Sequence, residues 1–359
     1  MAHLCPDPVR LKLDLFRKAI FMNKNFTIFS AMPQLLWPGP AQLIRERGWR
    51  VEFIVDVQKQ VLLPEEIASA LLKRAPEMEY LIADITPLTR EFFVRAEKLR
   101  LASMYGVGLN HIDIQAATEH GVVVTNAKGA NAQSTAELAI AHIFALARKL
   151  PQVQQDITNG VWLCRVGREV FGKTLGIAGF GDIGSLVARM GKALGLRVLF
   201  HNRSPKPELA AEIGAEQVTL DELLAQADYL SINLPALPGD KPFITAAEIA
   251  KMKPTACIIN TGRGSLIDLN ALTEALSTGK LGGAGLDVYP LEPLTLSFME
   301  SLYHPLHKLP NVSLTPHAGS ATCESAVNVT RMCLDEVERR RRGEPSPNCR
   351  NPEVYARLK

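Results

Sequence analysis

No CxxC pair occurs in the chain. The six cysteines (Cys5, Cys164, Cys257, Cys323, Cys333 and Cys349) are scattered through apolar or helical contexts. Neither a zinc site nor a disulfide framework is indicated, and free thiols in a reducing compartment are the simpler reading. An excess of charge is also missing. Lys plus Arg is 40 against 37 for Asp plus Glu, a net charge of +3, so neither nucleic acid nor a membrane is expected as the main partner. No apolar run reaches the roughly 20 residues that a bilayer requires. The longest in a helical pattern, Ala136 to Ala147, contains Glu137 and His142. The first two dozen residues have no signal-peptide core, because Asp14, Arg17 and Lys18 interrupt the apolar positions. With Asp7 and Asp14 and no Ser they also make a poor transit peptide, so 1–24 reads as an N-terminal extension of a cytoplasmic protein. No internal repeat at a solenoid period is present.

What remains is a globular chain of 359 residues, 47% hydrophobic and 21% charged, long enough for two cores. From Phe26 onward short apolar runs alternate with amphipathic segments. FTIFSA, VEFIVD, YLIAD and LASMYG read as strands, with AQLIRERG, PEEIASALLKRAP and LTREFFVRAEKL as helices between them. A long helical pattern from Ser134 to Leu150 breaks the rhythm. A second series follows, with strands at TLGIAG, RVLFHN, YLSINLP, ACIINTG, GAGLDVY and VSLTPH and a helix from Asp182 to Gly195. The chain closes with a helix from about Thr322 to Arg342 and a tail packed back on the first block. Strands alternating with helices predict βαβ units and parallel sheets. The basic run Arg339 to Arg342 is expected at a solvated helix end, favoured by the helix dipole.

Gly179-Phe180-Gly181-Asp182-Ile183-Gly184 follows the strand TLGIA and opens a helix. Alone GxGxxG is a weak signal, but strand, glycines, helix and second strand occur here in the order that a dinucleotide fold requires. Gly179 allows a tight turn, Gly181 lets the backbone approach a pyrophosphate, and Gly184 lets helix and strand pack closely. The helix N-terminus presents N–H groups to the diphosphate. The second strand ends 23 positions after Gly179, where an acid would bind the ribose 2′-hydroxyl of NAD. No acid is there: the tip reads Asn202-Arg203-Ser204.

Ligands of open parallel sheets bind at the carboxyl ends of strands. Arg263 lies just past one such end between two glycines, and Asp287 lies at another with Glu292 five residues on. His317 follows a third, behind Pro316. Arg holds a carboxylate bidentately. His can protonate an oxygen made anionic by hydride transfer, and a carboxylate on its other nitrogen favours the imidazolium. The other seven histidines, including His111, His120 and His142, read as structural.

From Tyr80 to Val354 the chain resembles the D-isomer-specific 2-hydroxyacid dehydrogenase family. The likeness runs through YGVGLNHIDIQAA, GVVVTNAKGANAQSTAEL, GKTLGIAGFGDIG, MKPTACIINTGRGSLID, GGAGLDVYPLEP and LPNVSLTPHAGSAT. It implies an α/β protein of two Rossmann-like, doubly wound parallel-sheet domains. The NAD(P)-binding domain, 126–319, would be inserted into a split, flavodoxin-like substrate domain, 1–125 and 320–359. It implies Arg263, Glu292 and His317 as the catalytic set, with the Val107 and Gly108 amides and Arg263 on the substrate carboxylate. Asp287 would meet the nicotinamide carboxamide, and Pro235, Thr261, His317 and Gly319 would complete the coenzyme site with the glycine loop. No metal is implied. Members are usually homodimers built through the coenzyme domain.

Two departures from the family pattern matter. Asn126-Ala127-Lys128-Gly129 replaces the common NTPG, and Lys128 is expected to face solvent. The strand tip HNRS resembles members that use NADP, where Arg203 and Ser204 would bind the 2′-phosphate that an acid at Asn202 would repel. The expectation is a reductase of small 2-oxo acids, of the glyoxylate/hydroxypyruvate reductase kind, that prefers NADP(H) and can accept NAD(H). Formate dehydrogenases carry Gln where Glu292 stands, so that branch is disfavoured. A phosphoglycerate, erythronate or phosphite dehydrogenase of the family stays open, as does a nucleotide-sensing corepressor of this fold.

Overall fold

A computed structural model describes residues 26–54, 64–83, 86–236, 239–290 and 304–358. The expected extension, 1–24, lies outside them. The chain divides into two compact units: Met1–Asn131 with Ser320–Lys359, and Ala132–Gly319. The first is discontinuous in sequence and the second is an unbroken insertion.

The discontinuous unit holds five parallel strands, β1 (Thr27–Ser30), β2 (Arg50–Phe53), β3 (Tyr80–Ala83), β4 (Leu101–Met104) and β5 (Val123–Asn126). Their order is β2-β1-β3-β4-β5, the flavodoxin-like arrangement. Strands β3, β4 and β5 are buried along their whole length, as parallel strands covered on both faces must be. One face packs under Phe92, Phe93, Ala116 and Ala117. The other packs under Val329, Cys333, Leu334 and Val337 of the closing helix, Cys323–Arg341. Thr322 caps that helix by accepting the Ser325 N–H at 3.1 Å.

The tail returns to β5. Cys349 bridges Thr125 in antiparallel fashion, and the Arg350 N–H donates to the Val124 carbonyl at 2.8 Å. Asn351 is fully buried. Its Oδ1 accepts the Val124 N–H at 2.9 Å, and its Nδ2 donates to the Val122 carbonyl at 2.9 Å and to Thr118 Oγ1 at 3.0 Å. Cys333 and Cys349 are free thiols, as are Cys164 and Cys257 of the inserted unit. Cys323 is disulfide-bonded, which corrects the expectation of thiols throughout. Local spacing reports on metal and redox motifs and does not register a bridge that forms in the folded chain.

The inserted unit holds seven parallel strands, β6 (Thr174–Ala178), β7 (Arg197–His201), β8 (Glu216–Gln217), β9 (Tyr229–Ile232), β10 (Cys257–Asn260), β11 (Gly283–Leu286) and β12 (Val312–Leu314). Their order is β12-β11-β10-β9-β6-β7-β8. Winding reverses between β6 and β9, and that is the crevice where dinucleotides bind in sheets of this kind.

The helix expected over Ser134 to Leu150 runs instead over Ala132–Ala147, and a second helix covers Leu150–Thr158. Pro151 has no N–H for the Ala147 carbonyl, so the helical ladder ends there. Arg168 N–H takes that carbonyl at 2.7 Å, and Lys149 turns the chain at φ 54°. Among the elements that the alternation missed, β5, β8 and the helices Ile114–Glu119, Pro207–Ile213 and Leu220–Gln226 carry too few residues to show a period.

Asn351→Ala should strip partners from the Val124 amide and the Val122 carbonyl, each a loss of about 1–3 kcal/mol when buried. A clear fall in the urea midpoint is expected; an unchanged midpoint would show that the tail does not stabilise β5.

Candidate functional site

Because the seven strands of the inserted unit are parallel, their carboxyl ends share one edge. Gly179 follows β6 and Asn202 follows β7. Pro235 lies beyond β9, Thr261 and Arg263 beyond β10, Asp287 beyond β11 and Thr315 to Gly319 beyond β12. Six loops therefore bring the expected residues of this unit to one side of the sheet.

The glycine loop is built as its spacing implies. Gly179 has φ 93°, and a Cβ there would stand 2.6 Å from the Asn233 carbonyl oxygen. A Cβ on Gly184 would stand 2.0 Å from the Gly179 carbonyl oxygen, so the helix Asp182–Ala193 can approach only because that position is bare. A Cβ on Gly181 would meet nothing within 4 Å. Gly181 is the cap residue and has no side chain to satisfy the first-turn amides of Ile183 and Gly184, which leaves them for an anion. Two buried side-chain oxygens just past β9 and β10, Asn233 Oδ1 and Thr261 Oγ1, have no hydrogen-bond partner among the described residues. Bare backbone, open amides and unpartnered oxygens at the reversal of winding fit a dinucleotide.

The β7 tip has an unusual arrangement. Asn202 Oδ1 accepts the Phe180 N–H of the glycine loop at 3.1 Å, and its Nδ2 donates to the Ser204 carbonyl at 2.8 Å. Asn202 thus ties the tip to the loop without bringing a negative charge. Arg203 and Ser204 are exposed, and neither side chain has a hydrogen-bonding partner among the described residues.

Past β10, Asn260 shapes the turn that bears Arg263. Its Nδ2 donates to the Arg263 carbonyl at 2.8 Å and its Oδ1 accepts the Gly262 N–H at 3.0 Å. Arg263 is half-buried, with Nη1 donating to the Gly262 carbonyl at 2.7 Å. Gly264 must be bare, since a Cβ would fall 1.9 Å from the Tyr289 carbonyl carbon.

Asp287 organises the loop after β12. It is 1% exposed. Its backbone carbonyl accepts the His317 N–H at 2.8 Å. Its Oδ1 accepts the Ala318 N–H at 2.7 Å and the Thr315 hydroxyl at 2.6 Å, and its Oδ2 accepts the Gly319 N–H at 2.9 Å. A carboxylate has about four acceptor positions, so one remains for an incoming N–H donor. The turn so held puts His317 at φ 53°, a left-handed conformation that costs a non-glycine residue about 1–2 kcal/mol. The His317 side chain is exposed.

Buried beneath Asp287 is His142, 2% exposed, with Nδ1 2.9 Å from Ser313 Oγ and Nε2 3.1 Å from Thr315 Oγ1. Burial holds its imidazole below the ordinary pKa, and the charge of Asp287 acts in the opposite direction.

Val107 and Gly108 belong to the discontinuous unit, in the loop after β4. Asn126 Nδ2 donates to the Val107 carbonyl at 2.6 Å, and Arg350 Nε donates to Asn126 Oδ1 at 2.8 Å. Neither the Val107 nor the Gly108 amide is donated to another described residue. Lys128 is exposed. Glu292 lies outside the described residues. Sequence reasoning missed Asn260 and Thr315, which bear no obvious chemistry and act through neighbouring groups; their only signal was position at a strand end.

The family model described as D-isomer specific 2-hydroxyacid dehydrogenase, NAD binding domain, matches residues 140–319. A glyoxylate reductase of Korarchaeum cryptofilum is 35% identical over 321 residues, covering 87% of this chain and 94% of that protein. A D-3-phosphoglycerate dehydrogenase of Synechocystis is also 35% identical, over 85% of this chain but 56% of its own length. A Thermus thermophilus protein of solved structure superposes with a TM-score of 0.77 at 32% identity, over 90% of this chain and 100% of that one.

Proposed function

The chain belongs to the D-isomer-specific 2-hydroxyacid dehydrogenase family, and on that footing we propose an oxidoreductase of the glyoxylate/hydroxypyruvate reductase kind. Its substrates are small 2-oxo acids and the matching D-2-hydroxy acids, and its preferred coenzyme is NADP(H). The bound coenzyme supplies the hydride that adds to the ketone carbon. Arg263 and the Val107 and Gly108 amides hold the substrate carboxylate. His317 gives its proton to the ketone oxygen as that oxygen becomes anionic, and Glu292 keeps the imidazole charged and oriented. Asp287 offers its remaining acceptor position to the nicotinamide carboxamide, and the amides at the Gly181 cap face the diphosphate.

One observation supports the coenzyme preference above the others. Asn202 stands where an acid would repel a 2′-phosphate, and its side-chain carbonyl oxygen is taken by the Phe180 amide. Arg203 and Ser204 beside it are exposed and available to such a phosphate. Assembly as a homodimer belongs to the same reading. The inserted unit exposes Trp162 at 94%, Val166 at 83% and Phe171 at 75%, apolar surface of the kind that marks an association site. A cytoplasmic setting is part of the same reading; four free thiols among the described residues favour it, and the bonded Cys323 runs against it.

A panel of 2-oxo acids run with NADPH and with NADH tests the activity: turnover on glyoxylate or hydroxypyruvate is expected, faster with NADPH. No turnover on any acid would favour a nucleotide sensor. Arg203→Ala should lower the NADPH-over-NADH ratio of kcat/KM by roughly ten- to a hundredfold, the worth of a charged hydrogen bond; an unchanged ratio overturns the coenzyme assignment. His317→Ala should reduce kcat by about 10²–10⁴-fold, as loss of a general acid does, and near wild-type kcat would remove it from that role. Sedimentation velocity should report a dimer that Trp162→Glu dissociates; a wild-type monomer would refute the assembly.

A further inference from the structure

His142 stands out among the buried polar residues because a place has been made for it. A Cβ on Gly285 of β11 would lie 2.7 Å from His142 Cβ and 2.9 Å from Cγ, so only glycine admits the ring against that strand. Its two ring nitrogens meet two hydroxyls, Ser313 and Thr315, on β12 and the loop beyond it.

The donors and acceptors of this cluster leave one consistent assignment. An ionised Asp287 can only accept, so the Thr315 hydroxyl spends its hydrogen on Oδ1 at 2.6 Å. Thr315 Oγ1 can then only accept from His142, which puts the ring proton on Nε2. Burial lowers the pKa of the imidazole; in the neutral ring Nδ1 is an acceptor and the Ser313 hydroxyl donates to it. The result is a one-way chain from Ser313 through His142 and Thr315 to Asp287. Hydrogen bonds in such a chain polarise and strengthen one another. Asp287 in turn receives the amides of His317, Ala318 and Gly319. The same helix, Ala132–Ala147, reaches the far end of that turn through Thr135, whose hydroxyl donates to the Gly319 carbonyl at 3.3 Å.

We propose that His142 is a positioning residue for the reaction: as the neutral Nε2–H tautomer it orients Thr315 onto Asp287 and so fixes the left-handed turn that presents His317. The role rests on the dehydrogenase reading given above, but its physical core, the tautomer and the chain, does not.

A small displacement of a reacting group is enough to slow chemistry, so His142→Leu should lower kcat between about 10- and 100-fold. The Kd for NADPH, read from nicotinamide fluorescence, should move far less. Thr315→Val should reproduce the loss, and the double variant should be no slower than either single one, because both cut the same chain. His142→Gln, whose amide can donate to Thr315 and accept from Ser313, should restore most of kcat. Losses that multiply in the double variant, a Gln variant as slow as the Leu one, or a Leu variant of wild-type speed would each overturn the proposal. If His142→Leu does not fold, the Gln and Val variants decide: the proposal requires the first fast and the second slow. Nitrogen NMR of histidine-labelled protein reads the tautomer without any turnover. An Nδ1–H or doubly protonated His142 at neutral pH overturns the assignment even if the enzyme is active. Absence of wild-type turnover with the Nε2–H signal present would instead defeat the functional reading alone.

Discussion

The Asp287 carboxylate and carbonyl, between them, hold three consecutive backbone amides and one hydroxyl. Everything distinctive about the loop beyond β12 depends on that capture. A histidine at positive φ is a strained residue, and the strain persists only where surrounding bonds over-determine it. Here the bonds come from the neighbouring strand end, so the presentation of His317 is tied to the register of β11 with β12. A buried carboxylate without hydrogen-bond donors is costly, and Asp287 has them on both oxygens. Tyr289 adds a further tie, its hydroxyl 3.0 Å from the Thr315 carbonyl.

The same logic of bare backbone and captured amides runs along the edge of the sheet. Gly179, Gly184, Gly264 and Gly285 are each required by a different close neighbour: a carbonyl across the crevice, a carbonyl within the loop, the chain after β11, and the His142 ring. Gly181, by contrast, faces open space. The contrast separates glycines that let the protein pack on itself from one that lets something else come close. Asn202 and Asn260 do complementary work as neutral clamps, each using an amide side chain to tie a strand end to a loop without adding charge. A neutral clamp at the β7 tip leaves the electrostatic character of that corner to Arg203.

Much of this is legible in the amino-acid sequence. The alternation of apolar runs and amphipathic segments foretold two parallel α/β blocks, and the order strand, glycines, helix, strand placed the loop on β6. Period-based reading failed where its signal is absent. Helix Ile114–Glu119 and strand β8 are too short to show a period. The helix break after Ala147 follows from Pro151, a local chemical fact that apolar spacing does not register. His142 read as a structural histidine because nothing along the chain marks the two hydroxyls that meet it, 171 and 173 residues away.

Sequence alone determined the fold class, the family and the residue types at each strand end, because these depend on local periodicity and on short motifs whose spacing has a mechanical reason. It also determined the absence of an acid at the β7 tip. Tertiary structure decided which oxygen each of those groups faces. It set Asn202 on the Phe180 amide, gave Asp287 its three amides, and closed the chain from Ser313 through His142 to the turn that bears His317. Hydrogen-bond partners in a parallel sheet come from strands separated by whole βαβ units, and only folding brings them within about 3 Å of one another.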